Sequence, residues 1–213
     1  MPFTSTLANT CRWPLLLLAG CLLAGRINGA PVDAAAQAGW VADASKAVLP
    51  ATPATGMIHG QPFTVKRASV RKSGGLNAGG LQMDHYTLVL GNSEDRFSFP
   101  EFETRLVLAV KKGAKLDGKT FRNVPVPADA PLSVQLERQP GPYKGNPEMQ
   151  SLTLTGPVNG EPESLDSFHP GASFTGRVEF GQPRGKVLPG KLYLCFNDKN
   201  KSYVAGSFNA ETE

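Results

Sequence analysis

Apolar and polar residues alternate with a period of two from Gly56 to the end of the chain, and glycine, proline, asparagine and aspartate interrupt the alternation at short intervals. Successive side chains of a β-strand point to opposite faces, so this pattern is typical of half-buried strands joined by turns. Helical periodicity is absent from this part of the sequence. The pattern predicts strands at about 57–70, 81–90, 103–110, 132–138, 149–154, 173–180, 186–196 and 202–210.

About eight strands in one domain predict an all-β fold, and we expect an antiparallel β-sandwich of the jelly-roll type. The clearest hairpin is the last, where apolar runs at 192–196 and 203–208 flank Asn197-Asp-Lys-Asn200. Asparagine and aspartate tolerate the left-handed geometry of such turns. Both faces of the first run are apolar, so we expect a central strand that is covered on both sides. Gly206 in the second run indicates a bulge or a close approach of backbones.

The two ends of the β domain share a faint similarity. His59-Gly-Gln-Pro-Phe63 and Ala205-Gly-Ser-Phe208 each place a phenylalanine after a glycine in a strand, and this indicates that the first and last strands pair. Gly-Met-Ile-His-Gly-Gln-Pro-Phe opens the domain, and Leu-Pro-Gly-Lys-Leu-Tyr-Leu followed by Ala-Gly-Ser-Phe-Asn-Ala closes it. With these ends, residues 56–210 resemble uncharacterised exported β-domains of bacteria. The resemblance implies a fold and an exported location, and no activity.

The first 20 residues have the parts of a bacterial export signal, with Arg12 as the only charge and an apolar segment at 13–19. Leu18-Ala19-Gly20-Cys21 resembles the lipobox of bacterial lipoproteins. The resemblance implies that residues 1–20 are removed and that Cys21 is acylated on its thiol and on its new amino terminus. Because two or three acyl chains anchor a protein firmly, the expected partner is a membrane.

Two alternatives remain open for the leader. Cleavage by an ordinary signal peptidase would release a secreted protein, but it requires small residues at two positions, of which Ala30 satisfies one and Asn28 does not. A transmembrane anchor needs about 20 apolar residues, which is more than the segment 13–25 offers. All three interpretations place the domain outside the cytoplasm.

Residues 21–55 are predicted to form a tether, since they are rich in alanine and contain Pro31, Pro50 and Pro53. A short helix over 34–48 would place Trp40 and Val41 on one face, whereas an unstructured linker is the favoured state. The predicted organisation is therefore a signal peptide at 1–20, a lipidated cysteine with its tether at 21–55, and a β domain at 56–213.

Composition and charge narrow the classes of function. The chain has 213 residues, of which 40% are hydrophobic and 19% charged, as in globular domains with a real core. The formal net charge of +4 is spread along the sequence, so we expect no nucleic-acid partner. Cys11 leaves with the leader and Cys21 is assigned to the lipid, so Cys195 cannot form an intrachain disulfide. Because it lies in an apolar strand, we expect a buried thiol.

Metal ligands are the first candidates for chemistry. The carboxylates of Glu161, Glu163 and Asp166 lie in a segment predicted to be a loop, and calcium prefers such oxygen ligands. The spacing of a calcium-binding loop is absent, and solvated loop carboxylates are the favoured alternative. His59 and His85 lack the close spacing of a metal motif, as does His169, and no cofactor is predicted.

An aromatic segment is the strongest candidate for binding. Phe97, Phe99 and Phe102 lie close together in the sequence and could present rings to a sugar or a peptide, whereas packing in the core is the favoured alternative. Glu101 and Glu103 have the carboxyl groups that glycoside chemistry uses, but residues two apart on a strand commonly line a solvent face. The Gly-x-Ser-x-Gly motif of serine hydrolases does not occur.

The sequence therefore predicts an envelope-anchored or secreted bacterial protein with a binding or structural role. Its candidate partner is an envelope glycan or another protein. The alternative from a different class is an extracytoplasmic hydrolase in which His169 acts with the carboxylates of Glu163 or Asp166, and such a site would contain groups with shifted pKa values.

Overall fold

The computed structural model describes residues 39–78, 81–95, 100–124, 148–167 and 173–213. Within these ranges the chain is all-β, as the alternation predicts, and its only helical element is one 3-10 turn at Ala44–Lys46. The strands are β1 (Thr55–Ile58), β2 (Gln61–Thr64), β3 (Arg67–Ala78), β4 (Leu81–Gly91), β5 (Glu103–Lys111), β6 (Thr120–Asn123), β7 (Glu148–Val158), β8 (Glu161–Asp166), β9 (Phe174–Phe180), β10 (Val187–Phe196) and β11 (Tyr203–Thr212).

All of these strands belong to one mixed sheet with the order β6-β9-β10-β11-β3-β4-β5-β7-β8, to which β1 is joined through β11 and β2 through β1. The pairing of β3 with β11 is parallel, which corrects the expectation of a purely antiparallel sheet. The short hairpin β1–β2 explains this pairing. β1 runs antiparallel to β11 and β2 antiparallel to β1, so β3, which continues in the direction of β2, runs with β11. The pairing of β1 with β11 confirms that the first and last strands are neighbours.

Several predicted strands have different limits in the structure. The predicted strand at 57–70 is three strands, because His59 and Gly60 adopt positive φ angles of 53° and 79° and reverse the chain between β1 and β2. The segment predicted to be an acidic loop is strand β8. Asn159 and Gly160, with φ angles of 54° and 86°, form the tight turn that pairs β8 with β7. The strand predicted at 132–138 lies outside the described residues.

One hydrophobic cluster draws side chains from nearly every strand of the sheet. Leu88, Leu106 and Leu152 come from β4, β5 and β7, and they lie in the same cluster as Val178 of β9 and Leu192 of β10. All five are fully buried. Burial of such apolar surface contributes about 25 cal/mol per Å² and is the main source of stability in a domain of this kind.

Strand β10 is buried on both faces, as its apolar sequence predicts. Leu192, Leu194 and Phe196 join the main core, while Tyr193 and Cys195 point to the opposite face and lie in a second cluster. The predicted hairpin with β11 is also confirmed by the pairing of the two strands. The cover of the second face comes from residues before β1, in the segment that the sequence assigns to the tether.

Candidate functional site

Residues 39–49, here called the anchor strap, cross the outer face of β9, β10 and β11. Ala44 is fully buried there, and Trp40, Val41, Ala47 and Leu49 pack around the same cluster. The strap belongs to the same compact unit as the sheet. Within residues 21–55, the part from Gly39 onward is thus folded onto the β domain, because its few apolar side chains meet the apolar outer face of β10.

Trp40 fixes the beginning of the strap. Its indole Nε1–H donates a hydrogen bond to the carbonyl oxygen of Phe196 at 2.8 Å. The Nζ atom of Lys201 lies 4.0 Å from the centre of the ring, in a cation–π contact. The end of β10 and the loop that follows it therefore hold the strap through one side chain.

Further polar contacts hold the strap along its length. The Gly39 N–H donates to Tyr193 Oη at 3.1 Å, and the Tyr193 hydroxyl donates to the carbonyl oxygen of Gly39. The Ala44 N–H donates to Thr175 Oγ1 at 2.9 Å, in a buried position. Backbone groups that would otherwise lose their water are thereby paired, which removes a penalty of about 1–3 kcal/mol for each unpaired group.

The strap also covers Cys195. The thiol is 2% exposed, and the Val41 N–H donates to its Sγ atom at 3.4 Å. Burial raises the pKa of the Cys195 thiol from 9.0 to about 11, so the thiol is neutral at physiological pH. This confirms the buried free thiol that the sequence predicts.

Beyond the strap, the chain runs beside β11 before it enters β1. The Ala54 N–H donates to the Ser207 carbonyl at 2.9 Å, and the Ser207 N–H donates to the Thr52 carbonyl at 2.7 Å. Gly206 has a φ of 137°, and a Cβ atom at this position would lie 2.4 Å from the Cα atom of Ala54. The close approach of backbones that Gly206 predicts is therefore confirmed.

A second feature is the turn after β5, residues 111–118, here called the basic turn. Lys111, Lys112 and Lys115 are all exposed on it. Asp84 lies beneath the turn with a side chain that is only 6% exposed. Its carboxylate accepts a hydrogen bond from the Gly113 N–H at 2.8 Å.

Other bonds hold the basic turn in one conformation. The Lys112 N–H donates to the Gln82 carbonyl at 2.9 Å, and the Ala114 N–H donates to the Lys111 carbonyl at 2.9 Å. The Tyr86 hydroxyl donates to the Ala114 carbonyl at 3.3 Å. The lysine side chains therefore extend from a backbone that these hydrogen bonds hold in place.

The Lys72 ammonium, 2.8 Å from Asp84, and the Gly113 N–H hold the pKa of this carboxyl below its ordinary value of 3.8. Lys112 acts in the same direction. A lowered carboxyl pKa stabilises the fold above the pKa of the unfolded chain, and this contribution is lost as the pH falls through the folded value.

We therefore expect Asp84→Asn to lower the melting temperature at pH 7. Below about pH 4, where the parent protein also loses the charge of Asp84, the difference in melting temperature between the variant and the parent should become smaller. Melting curves from neutral to acid pH measure this. Glu101→Gln, at an exposed carboxyl, is the control and should leave the melting temperature near that of the parent. A deficit that stays constant down to acid pH would contradict the assignment of the stabilising charge to Asp84.

An open groove lies beside the basic turn, with a volume of about 340 Å³. Its lining residues include Glu179, Pro189, Lys191, Ser207 and Asn209 on the outer face of β9, β10 and β11. Phe180 and Gly181 also line the groove. The end of the basic turn reaches the edge of the groove, because the Gly118 N–H donates to the Gly181 carbonyl at 3.2 Å. Directly after the turn, the Lys119 carbonyl accepts a hydrogen bond from the Phe180 N–H at 2.9 Å.

The three carboxylates considered as calcium ligands are distributed along β8. Glu161 and Glu163 are exposed and share one face of the strand, whereas Asp166 lies on the other, since residues three and five apart alternate in a strand. The described residues include no group of three histidine, cysteine, aspartate or glutamate side chains that could hold a metal ion. The structure thus does not bring the three carboxylates together.

The aromatic candidates separate in a similar way. Phe102 is 6% exposed and packs against Phe63, with 6.0 Å between the ring centres, so this ring belongs to the core. Phe97 and Phe99 lie outside the described residues. Glu103 opens β5 and forms a 2.7 Å ion pair with Arg105.

The histidines also occupy separate positions. His59 lies in the turn between β1 and β2, where its Nε2 atom is 3.0 Å from the carbonyl oxygen of Glu163. His85 lies within β4. His169, on which the hydrolase alternative depends, lies outside the described residues, so that alternative stays a prediction.

Sequence reasoning missed both the anchor strap and the basic turn. The apolar residues of the strap were visible as Trp40, Val41 and Leu49, and three lysines within five residues marked the turn.

A scan against family models, a search of curated proteins and a search of solved structures each gave no match to this chain. In the part of the chain that the structure describes, no helix combines the length and the apolar character that crossing a bilayer requires.

Proposed function

We propose that this chain is a bacterial envelope protein, attached to a membrane through lipid on Cys21, whose β domain binds a partner in the envelope. The anchor strap is the observation that carries the proposal. Gly39 follows Cys21 by only 18 residues and is hydrogen-bonded to Tyr193 of β10. Because the strap is bound to the sheet, only the chain before Gly39 separates the domain from the proposed lipid. Such an arrangement would keep the domain close to the membrane.

The length of the intervening chain sets how far the domain can stand from its anchor. A fully extended chain covers about 3.3–3.6 Å per residue, so the 18 residue steps from Cys21 to Gly39 span at most about 65 Å. The domain therefore works near the membrane that carries its lipid, within the envelope.

The proposal also includes the arrangement of the sheet in two layers. We expect the sheet to be folded over as a β-sandwich related to the jelly roll. Support comes from contacts between distant strands. A Cβ atom at Gly156 of β7 would lie 3.0 Å from the Ile58 side chain of β1, and one at Gly176 of β9 would lie 3.4 Å from the sulfur of Met149. The main core is the layer that such a sandwich would enclose.

The attachment is tested by Cys21→Ser in the native host. We expect the parent protein to fractionate almost entirely with membranes and to incorporate a labelled fatty acid, because the lipid chains supply the anchor. The variant should lose the label and accumulate with its leader uncleaved. Fractionation, labelling and mass determination of the amino terminus measure these outcomes.

Cys11→Ser is the matched control, because Cys11 precedes the lipobox and should leave with the leader. It should fractionate like the parent. A parent protein that begins near Pro31 and is found in the medium would overturn the lipid anchor in favour of plain secretion. Equal labelling of the parent and the Cys21→Ser variant would overturn the assignment of the lipid to Cys21.

A further inference from the structure

The basic turn lies at the end of β9 that is remote from the entry of the anchor strap. Trp40 is bonded to Phe196, which pairs with Phe174 at the beginning of β9. Gly118 is bonded to Gly181, directly after the end of the same strand. At about 3.3 Å per residue, the two sites are separated by roughly 20 Å along β9.

The three lysines of the basic turn outnumber its single carboxylate, Asp117. Asp84 is already engaged by Lys72 and by the Gly113 N–H. Among the described residues, no ion pair joins an acidic side chain to Lys111, Lys112 or Lys115. Three exposed positive charges on a fixed backbone form a site for a ligand with several negative charges.

The adjoining groove is the second feature that a ligand of this site would have to match. Its polar lining includes Lys191 and Asn209, with Pro189 as an apolar surface beside them. The Glu179 carboxylate also lines the groove and is paired with Arg177, and the Ser207 hydroxyl donates to the carbonyl oxygens of Ala51 and Thr52. A concave surface with such groups suits a chain of sugar residues, whose hydroxyl groups form hydrogen bonds and whose ring faces pack on apolar atoms. A flat lipid surface would reach the exposed lysines but would not occupy the groove.

We propose that the basic turn and the adjoining groove together bind an anionic polysaccharide of the envelope. The lysines pair with carboxylate or phosphate groups on the polymer, and the groove holds neighbouring sugar rings. This inference rests on the proposed function, because it names the class of partner that the envelope domain binds. The site lies at the opposite end of β9 from the residues that hold the entry of the strap.

Binding is measured with the full chain purified in detergent, and polygalacturonate is the probe. Uncharged dextran is the control polymer. Vesicles with about one third anionic lipid, compared with neutral vesicles, measure binding to a charged membrane surface, because a lipid anchor inserts into both kinds. We expect binding to polygalacturonate that weakens steeply as salt rises to about 0.5 M, because salt screens exposed charges. Dextran should bind much more weakly, and anionic vesicles should bind no more tightly than neutral ones.

The triple variant Lys111→Gln, Lys112→Gln and Lys115→Gln should bind polygalacturonate about a hundredfold more weakly, since each lysine near an anionic surface contributes roughly fivefold. The matched control removes the same charge from three dispersed exposed sites, through Lys66→Gln, Lys186→Gln and Lys199→Gln. It should lose only a small part of the affinity.

Asn209→Glu tests the groove separately, because Asn209 is exposed and the added carboxylate would repel an anionic polymer in the groove. It should weaken binding of polygalacturonate and leave the vesicles unaffected. Melting curves establish that each variant is folded, and Lys115→Gln alone replaces the triple variant if the latter is unstable.

Equal losses in the clustered and dispersed variants would overturn the assignment to the basic turn. A preference for anionic over neutral vesicles that is lost in the triple variant, together with no binding to polygalacturonate, would overturn the polysaccharide as partner and indicate a membrane surface. These results do not depend on lipidation, so they are distinct from a failure of the Cys21 experiment. A protein can lose its lipid and still bind the polymer, or keep its lipid and fail to bind.

Discussion

Gly206→Ala is expected to lower the free energy of unfolding by about 3 kcal/mol or more. The φ of 137° at Gly206 is strained for any residue with a side chain, and the new Cβ atom would lie 2.4 Å from the Cα atom of Ala54. Both backbones are held in place, since Ala54 and Ser207 are hydrogen-bonded. Urea denaturation measures the loss.

Gly60→Ala separates the two causes of this loss. Gly60 also has a positive φ, of 79°, but a Cβ atom there would have no neighbour within 4 Å. It should cost about 1–2 kcal/mol, from the backbone conformation alone. If Gly206→Ala costs no more than Gly60→Ala, the approach of Ala54 to β11 does not limit this position.

Trp40→Ala is expected to destabilise the strap by about 2–3 kcal/mol, through loss of apolar contacts, the bond to Phe196 and the contact with Lys201. Because the strap covers Cys195, its opening should expose the thiol. Alkylation of Cys195 should then become roughly 30-fold to 150-fold faster, in proportion to the larger population of the open state. Mass spectrometry of the peptide that carries Cys195, at mildly alkaline pH, measures this rate.

Val48→Ala is the control within the same segment, because Val48 is 85% exposed. Its melting temperature and its rate of alkylation should match those of the parent protein. Rapid alkylation of Cys195 in the parent itself would show that the strap does not protect the thiol. An unchanged rate in Trp40→Ala would show that Trp40 does not hold the strap closed.

Local sequence patterns predicted the parts of the fold that depend on near neighbours. The alternation of apolar and polar residues predicted an all-β fold, and the two apolar faces of residues 192–196 predicted that β10 is buried on both sides. Asn159-Gly160 was an equally local signal, typical of a tight hairpin turn, and attention to it would have placed β8 as a strand instead of a loop.

Other parts depend on contacts between residues that are distant in the sequence. The parallel pairing of β3 with β11 exists because β1 covers only the beginning of β11 and leaves its end free for another strand. The alternation of apolar and polar residues carries no information about which part of β11 remains free to pair with another strand. Likewise, Asp84 supports the basic turn from 29 residues away, and the spacing of the lysines carries no information about this contact.

The anchor strap also determines where mechanical tension would enter the fold. When the chain is pulled from its amino-terminal side, the first described contacts to bear the load are those of Gly39 with Tyr193 and of Trp40 with Phe196. Such loading separates bonds in sequence and needs less force than sliding whole strands past each other. Detachment of residues 39–54 would lengthen the connection by about 50 Å while the β10–β11 hairpin stays paired. The strap would thus detach at a lower force than the strands of the sheet, and the sheet would stay folded.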